Sequence, residues 1–196
     1  MVHTGLCAFG AYLIVISVLI TLPRAVTPRL LEFCRSISDE KPIYITSRPA
    51  SDAKPGHCFD NVETKISRAG GGVAYGWAIW HLRGLYFEAE HHGVWKKRTD
   101  VLVDVSPQAN GYPKILFLPD PLAVYDPLTI RDNLFEPDSV DLLALEFVSL
   151  ARRRTAIYNS YRIGGATVAM FSNAHRSEID WTVARMQQII GIQSLG

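Results

Sequence analysis

His57-Cys58-Phe59-Asp60-Asn61-Val62, Gly70-Gly71-Gly72, Glu88-Ala89-Glu90-His91-His92-Gly93-Val94-Trp95 and Leu102-Val103-Asp104-Val105-Ser106-Pro107 follow one another in the middle of the chain. Phe59, Val62 and Ile66 recur at helical spacing, with Cys58 adjoining the stripe. This predicts a helix of about three turns that opens at Cys58 and stops at the glycine run. Four strand candidates come next: 73–80, 85–95, 101–105 and 114–118. They are rich in β-branched and aromatic residues and joined by short turns, so neighbouring antiparallel pairing is the economical topology.

Working outward, residues 23–29 carry Pro23 and Pro28 and read as a linker. Residues 28–38 read as a short amphipathic helix, 43–45 as a brief strand and 47–56 as a loop. On the other side, 120–138 carries Pro121, Pro127 and Pro137 and reads as irregular. A helical period runs from Ser139, a candidate N-cap, to about Tyr161. Residues 166–171 suit a strand and 176–190 a closing helix. The expected fold is α+β: an antiparallel sheet of four to five strands packed on the Cys58 helix, with an apolar N-terminal helix and C-terminal helices. Residues 28–196 form one domain in this reading, and 1–27 an apolar segment and linker.

The chain has 196 residues, enough for one real core. Lys plus Arg number 20 and Asp plus Glu 19, so charge exerts no general pull toward nucleic acid. Three cysteines, Cys7, Cys34 and Cys58, make no disulfide framework and fit a reducing compartment. No Cys-x-x-Cys pair supports structural zinc.

Residues 5–22 hold no charged side chain. Eighteen residues at helical rise span roughly 27 Å, close to a bilayer's hydrocarbon core. No basic residue other than His3 precedes the run and no small-x-small site follows it, unlike a cleaved signal peptide. The expectation is a membrane anchor with the domain in the cytoplasm, since Arg24 and Arg29 follow the run. Without that segment in the cell, the protein would be cytoplasmic.

The chemistry rests on three side chains. A thiol at a helix start meets free backbone N–H groups and the positive end of the helix dipole, which stabilise a thiolate there. The same N–H groups suit a developing oxyanion. His91 and His92 compete as base, because adjacent strand residues point to opposite faces. An odd hairpin loop, such as Lys97-Arg98-Thr99, brings His92 to the face of Asp104, and an even one brings His91. No Gly or Asn between Lys96 and Asp100 chooses between them. Asp104 lies between Val103 and Val105, where an idle carboxylate is costly to bury. Its role would be to orient a histidine.

Four other residues join the candidate site. Asn61, one turn after Cys58, would donate to an oxyanion or hold the preceding loop. Glu88 and Glu90 share the His92 face, and either would suit a cationic substrate group or an ion pair. Trp95 reads as core or as a wall of the site. A metal centre of His57, Cys58 and one of His91 or His92 is the rival arrangement.

Cys58, then His92-Gly93-Val94-Trp95, then Leu102-Val103-Asp104-Val105-Ser106-Pro107 resembles the transglutaminase-like and broader papain-like arrangement. The blocks from Cys58-Phe59-Asp60-Asn61-Val62 to Ile115-Leu116-Phe117-Leu118-Pro119-Asp120 are also similar to a group of bacterial proteins of uncharacterised activity. The resemblance implies Cys58 as nucleophile, His92 as base and Asp104 as orienter. It implies amide hydrolysis or acyl transfer on a peptide, amide or small-molecule substrate, with no metal and no organic cofactor.

Overall fold

The computed structural model describes residues 20–108, 110–163, 166–167 and 170–193. Within them the fold is α+β, with helices α1 (Pro28–Arg35), α2 (Cys58–Ala69), α3 (Leu142–Asn159) and α4 (Asn173–Gln193). The main sheet contains β1 (Ile43–Ser47), β2 (Gly72–Leu82), β3 (Tyr86–Lys96), β4 (Leu102–Asp104), β5 (Lys114–Pro119) and β6 (Leu134–Pro137). A small ribbon joins β7 (Arg162–Ile163) to β8 (Ala166–Thr167).

The sheet is mixed, not purely antiparallel. Its order is β2-β5-β1-β4-β3-β6, and β2 also pairs with β3, so five strands close into a barrel. β1 enters between β4 and β5 and runs parallel to β4, with Ser47 beside Asp104. Parallel neighbours need a long crossover, and here α2 and the β2–β3 hairpin supply it. Chain order therefore misleads: β4 and β5 are consecutive but unpaired, because β1 separates them.

Alternation along the strands builds the core. Ile45, Ala78, Val94, Ile115 and Phe117 face inward from four barrel strands and join Phe147, Met186 and Ile189 of α3 and α4. On the outer face, Trp77, Ile79, Phe87, Leu116 and Leu118 pack under Leu30, Phe33 and Cys34 of α1. A third cluster seats α2: Val62 and Ile66 lie against Val73, Trp95, Val103 and Val105.

Two expectations shift in detail. α3 is capped by Asp141, whose side chain accepts from Leu143 N–H, rather than by Ser139. β6 lies within the stretch expected to be irregular. Its prolines hid it, and Pro137 is tolerated because β6 is an edge strand.

Of the expected apolar N-terminal helix over 5–22, residues 5–19 lie outside the described residues and Ile20–Leu22 within them. Thr21 is bridged to His81 through both backbone bonds, each 2.9 Å. Ile20 is buried in the inner core, and Leu22 packs against the outer one. Residues Ile20–Leu22, N-terminal to Pro28, are thus packed onto the domain. Among the described residues, no helix is long and apolar enough to cross a membrane.

Candidate active site

On the inward faces of β1 and β3 the pattern turns polar two residues from Ile45 and Val94, at Ser47 and His92. Asp104 follows Leu102 on β4 in the same way. Ser47, His92 and Asp104 are all buried. His92 Nε2–H donates to Asp104 Oδ1 at 3.1 Å. Asp104 Oδ1 also accepts from Ser106 N–H at 3.0 Å. Its Oδ2 accepts from Ser47 Oγ at 2.8 Å and Gln108 Nε2 at 2.9 Å. Four donors thus converge on one fully buried carboxylate, which offsets the cost of burying its charge. Burial alone would raise its pKa. The His92 hydrogen bond and charge, with Ser106 and Gln108, outweigh burial and hold it below the usual aspartate range.

The hairpin turn explains why His92, not His91, reaches Asp104. Lys97 N–H bonds to Val101 C=O, leaving the odd loop Arg98-Thr99-Asp100. Asp100 takes the left-handed conformation at φ 61°. Asp tolerates that region, so it does the work that Gly or Asn usually does in such loops. His91 points to the opposite face. Its Nε2–H donates to Ala123 C=O at 2.7 Å, and its ring packs between Phe59 and Trp77. Burial holds its pKa below the ordinary imidazole value.

Cys58 is the first residue of α2, 5% exposed, with its thiol directed at the His91 carbonyl 4.0 Å away. No side chain caps the first turn of α2, since His57 pairs with Asp60 instead. The helix reaches the strand because residue 93 is glycine. A Cβ there would meet the Phe59 ring at 2.8 Å. At the other end Gly70, at φ 67°, stops the helix.

The other ring nitrogen of His92, Nδ1, is buried without a hydrogen-bond partner. Burial disfavours a charged ring. Interaction with the Cys58 sulfur, followed by the Asp104 carboxylate, more than offsets burial, so His92 lies well above the ordinary imidazole value. In the neutral ring, with Nε2–H committed to Asp104, the lone pair falls on Nδ1, which is where the ring takes up its second proton. His92 and Asp104 are thus hydrogen-bonded, and the Cys58 thiol sits at the carbonyl of the adjacent His91.

Asn61 is spent on the loop before Cys58. Its Oδ1 accepts from Lys54 N–H, and its Nδ2 donates to Lys54 C=O, both at 2.9 Å. Nδ2 also donates to Ser106 Oγ at 3.1 Å. Both amide hydrogens are occupied, which leaves none for an oxyanion. Trp95 donates to Gly70 C=O at 2.8 Å, at the far end of α2, roughly 18 Å of helix from Cys58. Glu90 is half-buried and accepts from Trp80 Nε1 at 2.9 Å. Glu88 is fully committed inside, with Asn133 at 2.6 Å.

Among the described residues, no group of three or more His, Cys, Asp or Glu side chains has the arrangement of a metal site. His57, His91 and His92 each face a different partner. Sequence reasoning missed Ser47, Ser106 and Gln108, the remaining donors to Asp104. Ser47 needed the parallel β1–β4 pairing, which no local pattern announces. No family model matches the chain, and no curated protein or solved structure matches it either.

Proposed function

We propose that the protein is a thiol-dependent enzyme, a hydrolase or acyltransferase, that acts on an amide or related carbonyl through Cys58, His92 and Asp104. The transglutaminase-like and papain-like arrangement is the family setting of this reading. The observation that carries it is the unpartnered His92 Nδ1, buried beside Cys58 while Nε2 is held by Asp104. A buried acceptor without a partner costs about 1–3 kcal/mol. A thiol proton transferred to Nδ1 removes that cost.

In this reaction His92 Nδ1 takes the thiol proton and the Cys58 sulfur attacks the carbonyl carbon. The uncapped first-turn N–H groups of α2 face the developing negative charge. The C–N bond breaks as His92 returns the proton to the leaving amine, and a thioester remains on Cys58. Water or a second amine then releases the acyl group. Asp104 holds the ring and stabilises the imidazolium throughout.

Iodoacetamide labelling of Cys58, followed by peptide mass spectrometry, tests the proposal. The expected result is labelling faster than that of the same thiol in the unfolded chain at pH 7, and slowed by His92→Ala. Cys34 is an internal control, since burial pushes its thiol up to about 11. A second reading rests on the low exposure of Cys58: a binding or structural module of the same fold with an inert cysteine. Labelling no faster than in the unfolded chain selects that reading.

A further inference from the structure

We propose that Glu90 reads a positive charge on the substrate, so that the site takes carbonyl compounds bearing an ammonium or guanidinium group near the reacting carbon. This rests on the thiol reaction above and adds the charge of the substrate to it. Glu90 and His92 stand on the same face of β3, two residues and thus roughly 7 Å apart. Trp80 Nε1–H fixes Glu90 Oε2 at 2.9 Å, and no other hydrogen bond to this carboxylate is found among the described residues. The carboxylate is therefore oriented before anything binds, which lowers the entropic cost of recognition.

Glu90 stands where the strand pairing of β3 is interrupted, next to the point where α2 packs on Gly93. β3 is covered on its outer edge by β6 at residues 86–89 and by β4 at residues 95–96. Between them, residues 90–94 have no strand partner on that edge among the described residues. Cys58 meets the His91 carbonyl in this gap. The buried Nδ1 of His92 belongs to the next residue, on the Glu90 face of β3. Glu90 forms none of the ion pairs within 4.0 Å found among the described residues. Glu88, by contrast, is sealed inside against Asn133. Of the two carboxylates on this face, only Glu90 is within reach of solvent.

Peptidyl acyloxymethyl ketones provide the test. The Cys58 sulfur displaces the acyloxy group, forming a C–S bond as the carboxylate leaves. Three matched probes carry lysine, norleucine or glutamate next to the ketone. The expected result is that lysine labels Cys58 about tenfold or more faster than norleucine, because a charge-assisted bond forms out of bulk water. Glu90→Gln should bring the lysine-to-norleucine ratio to within about twofold, and Glu90→Lys should favour the glutamate probe. Melting curves of both variants check that the fold is kept. Equal lysine and norleucine rates in the wild type, or an unchanged ratio in Glu90→Gln, overturn the inference. If iodoacetamide reactivity is enhanced while the probes show no charge preference, this inference fails and the thiol reaction stands. If Cys58 shows no enhanced reactivity toward any reagent, both fail.

Discussion

The His92 imidazole donates through Nε2 to Asp104 Oδ1 at 3.1 Å, with both side chains removed from water. Asp104→Asn keeps the shape and removes the charge. The expected outcome is a folded protein whose Cys58 reacts more slowly with iodoacetamide, since an amide orients the ring but stabilises imidazolium poorly. Asp104→Ala strands the His92 N–H and the Ser106 N–H, and should cost about 1–3 kcal/mol per unpaired donor in urea unfolding. Equal thiol reactivity in all three proteins would remove Asp104 from the site.

His92 lies well above its ordinary value of 6.5 in the folded protein. The folded state therefore binds its proton more tightly than the unfolded chain does. The resulting stability is fully present below pH 6.5 and is lost as pH rises through the folded value. The difference in unfolding free energy between wild type and His92→Gln should be larger at pH 6 than at pH 9. A difference that grows with pH would contradict the assigned contacts.

Glu88 runs the opposite way from most carboxylates. Burial above all pushes it from 4.5 up to about 7, and the Glu90 charge adds to this against the pull of Asn133, Arg154 and Tyr86. Between those values the folded state holds more protons than the unfolded chain, so stability falls as pH rises through this interval. The full loss, about 3 kcal/mol, is reached above pH 7. Glu88→Gln cannot ionise, so relative to it the wild type should lose stability between pH 4.5 and pH 8. Parallel pH profiles for the two proteins would show that Glu88 stays at its ordinary value.

Asn61 ties α2 to the loop before Cys58 and to Ser106. Asn61→Ala should cost about 1–3 kcal/mol through the stranded Lys54 groups and slow Cys58 labelling as the loop loosens. Asn61→Asp keeps the acceptor for Lys54 N–H but sets a carboxylate oxygen against the Lys54 carbonyl. It should be no better than alanine, as urea midpoints will show. Full stability in the aspartate variant would mean that the amide donors are dispensable.

Local patterns disclosed α2 and its opening at Cys58, because helical spacing and the glycine run are written within a dozen residues. They also disclosed the β2–β3 hairpin. The pairing partners of β1 were hidden, since a parallel neighbour is chosen by the crossover and leaves no mark on Ile43–Ser47 itself. The choice between His91 and His92 turned on Asp100, a left-handed aspartate that a search for Gly or Asn passes over. Of the further Asp104 donors, Ser106 and Gln108 lie two and four residues along the same segment, whereas Ser47 comes from β1 and is brought in only by the assembled barrel. Asn61 was visible as a helix-face polar residue, but which of its two roles it plays depended on where Lys54 lies.

The segment Ile20–Pro23 gives the last prediction. Ile20 is 9% exposed in the inner core, Thr21 forms both backbone bonds to His81, and Pro23 C=O accepts from Tyr44 Oη at 2.7 Å. A protein beginning at Ile20 keeps all of these contacts, and one beginning at Pro28 keeps none. Burying an isoleucine side chain contributes about 1.5–3 kcal/mol. The His81 end of β2 would also lose its bridge. The protein beginning at Pro28 should therefore be less stable than the one beginning at Ile20, by about 2–4 kcal/mol in urea unfolding. The slope of the transition separates the two causes. A lower midpoint at constant slope means lost contacts in an otherwise intact fold, whereas a shallower slope means that the barrel itself has loosened. Equal midpoints for the two shortened proteins would show that Ile20–Pro23 rest on the domain without supporting it.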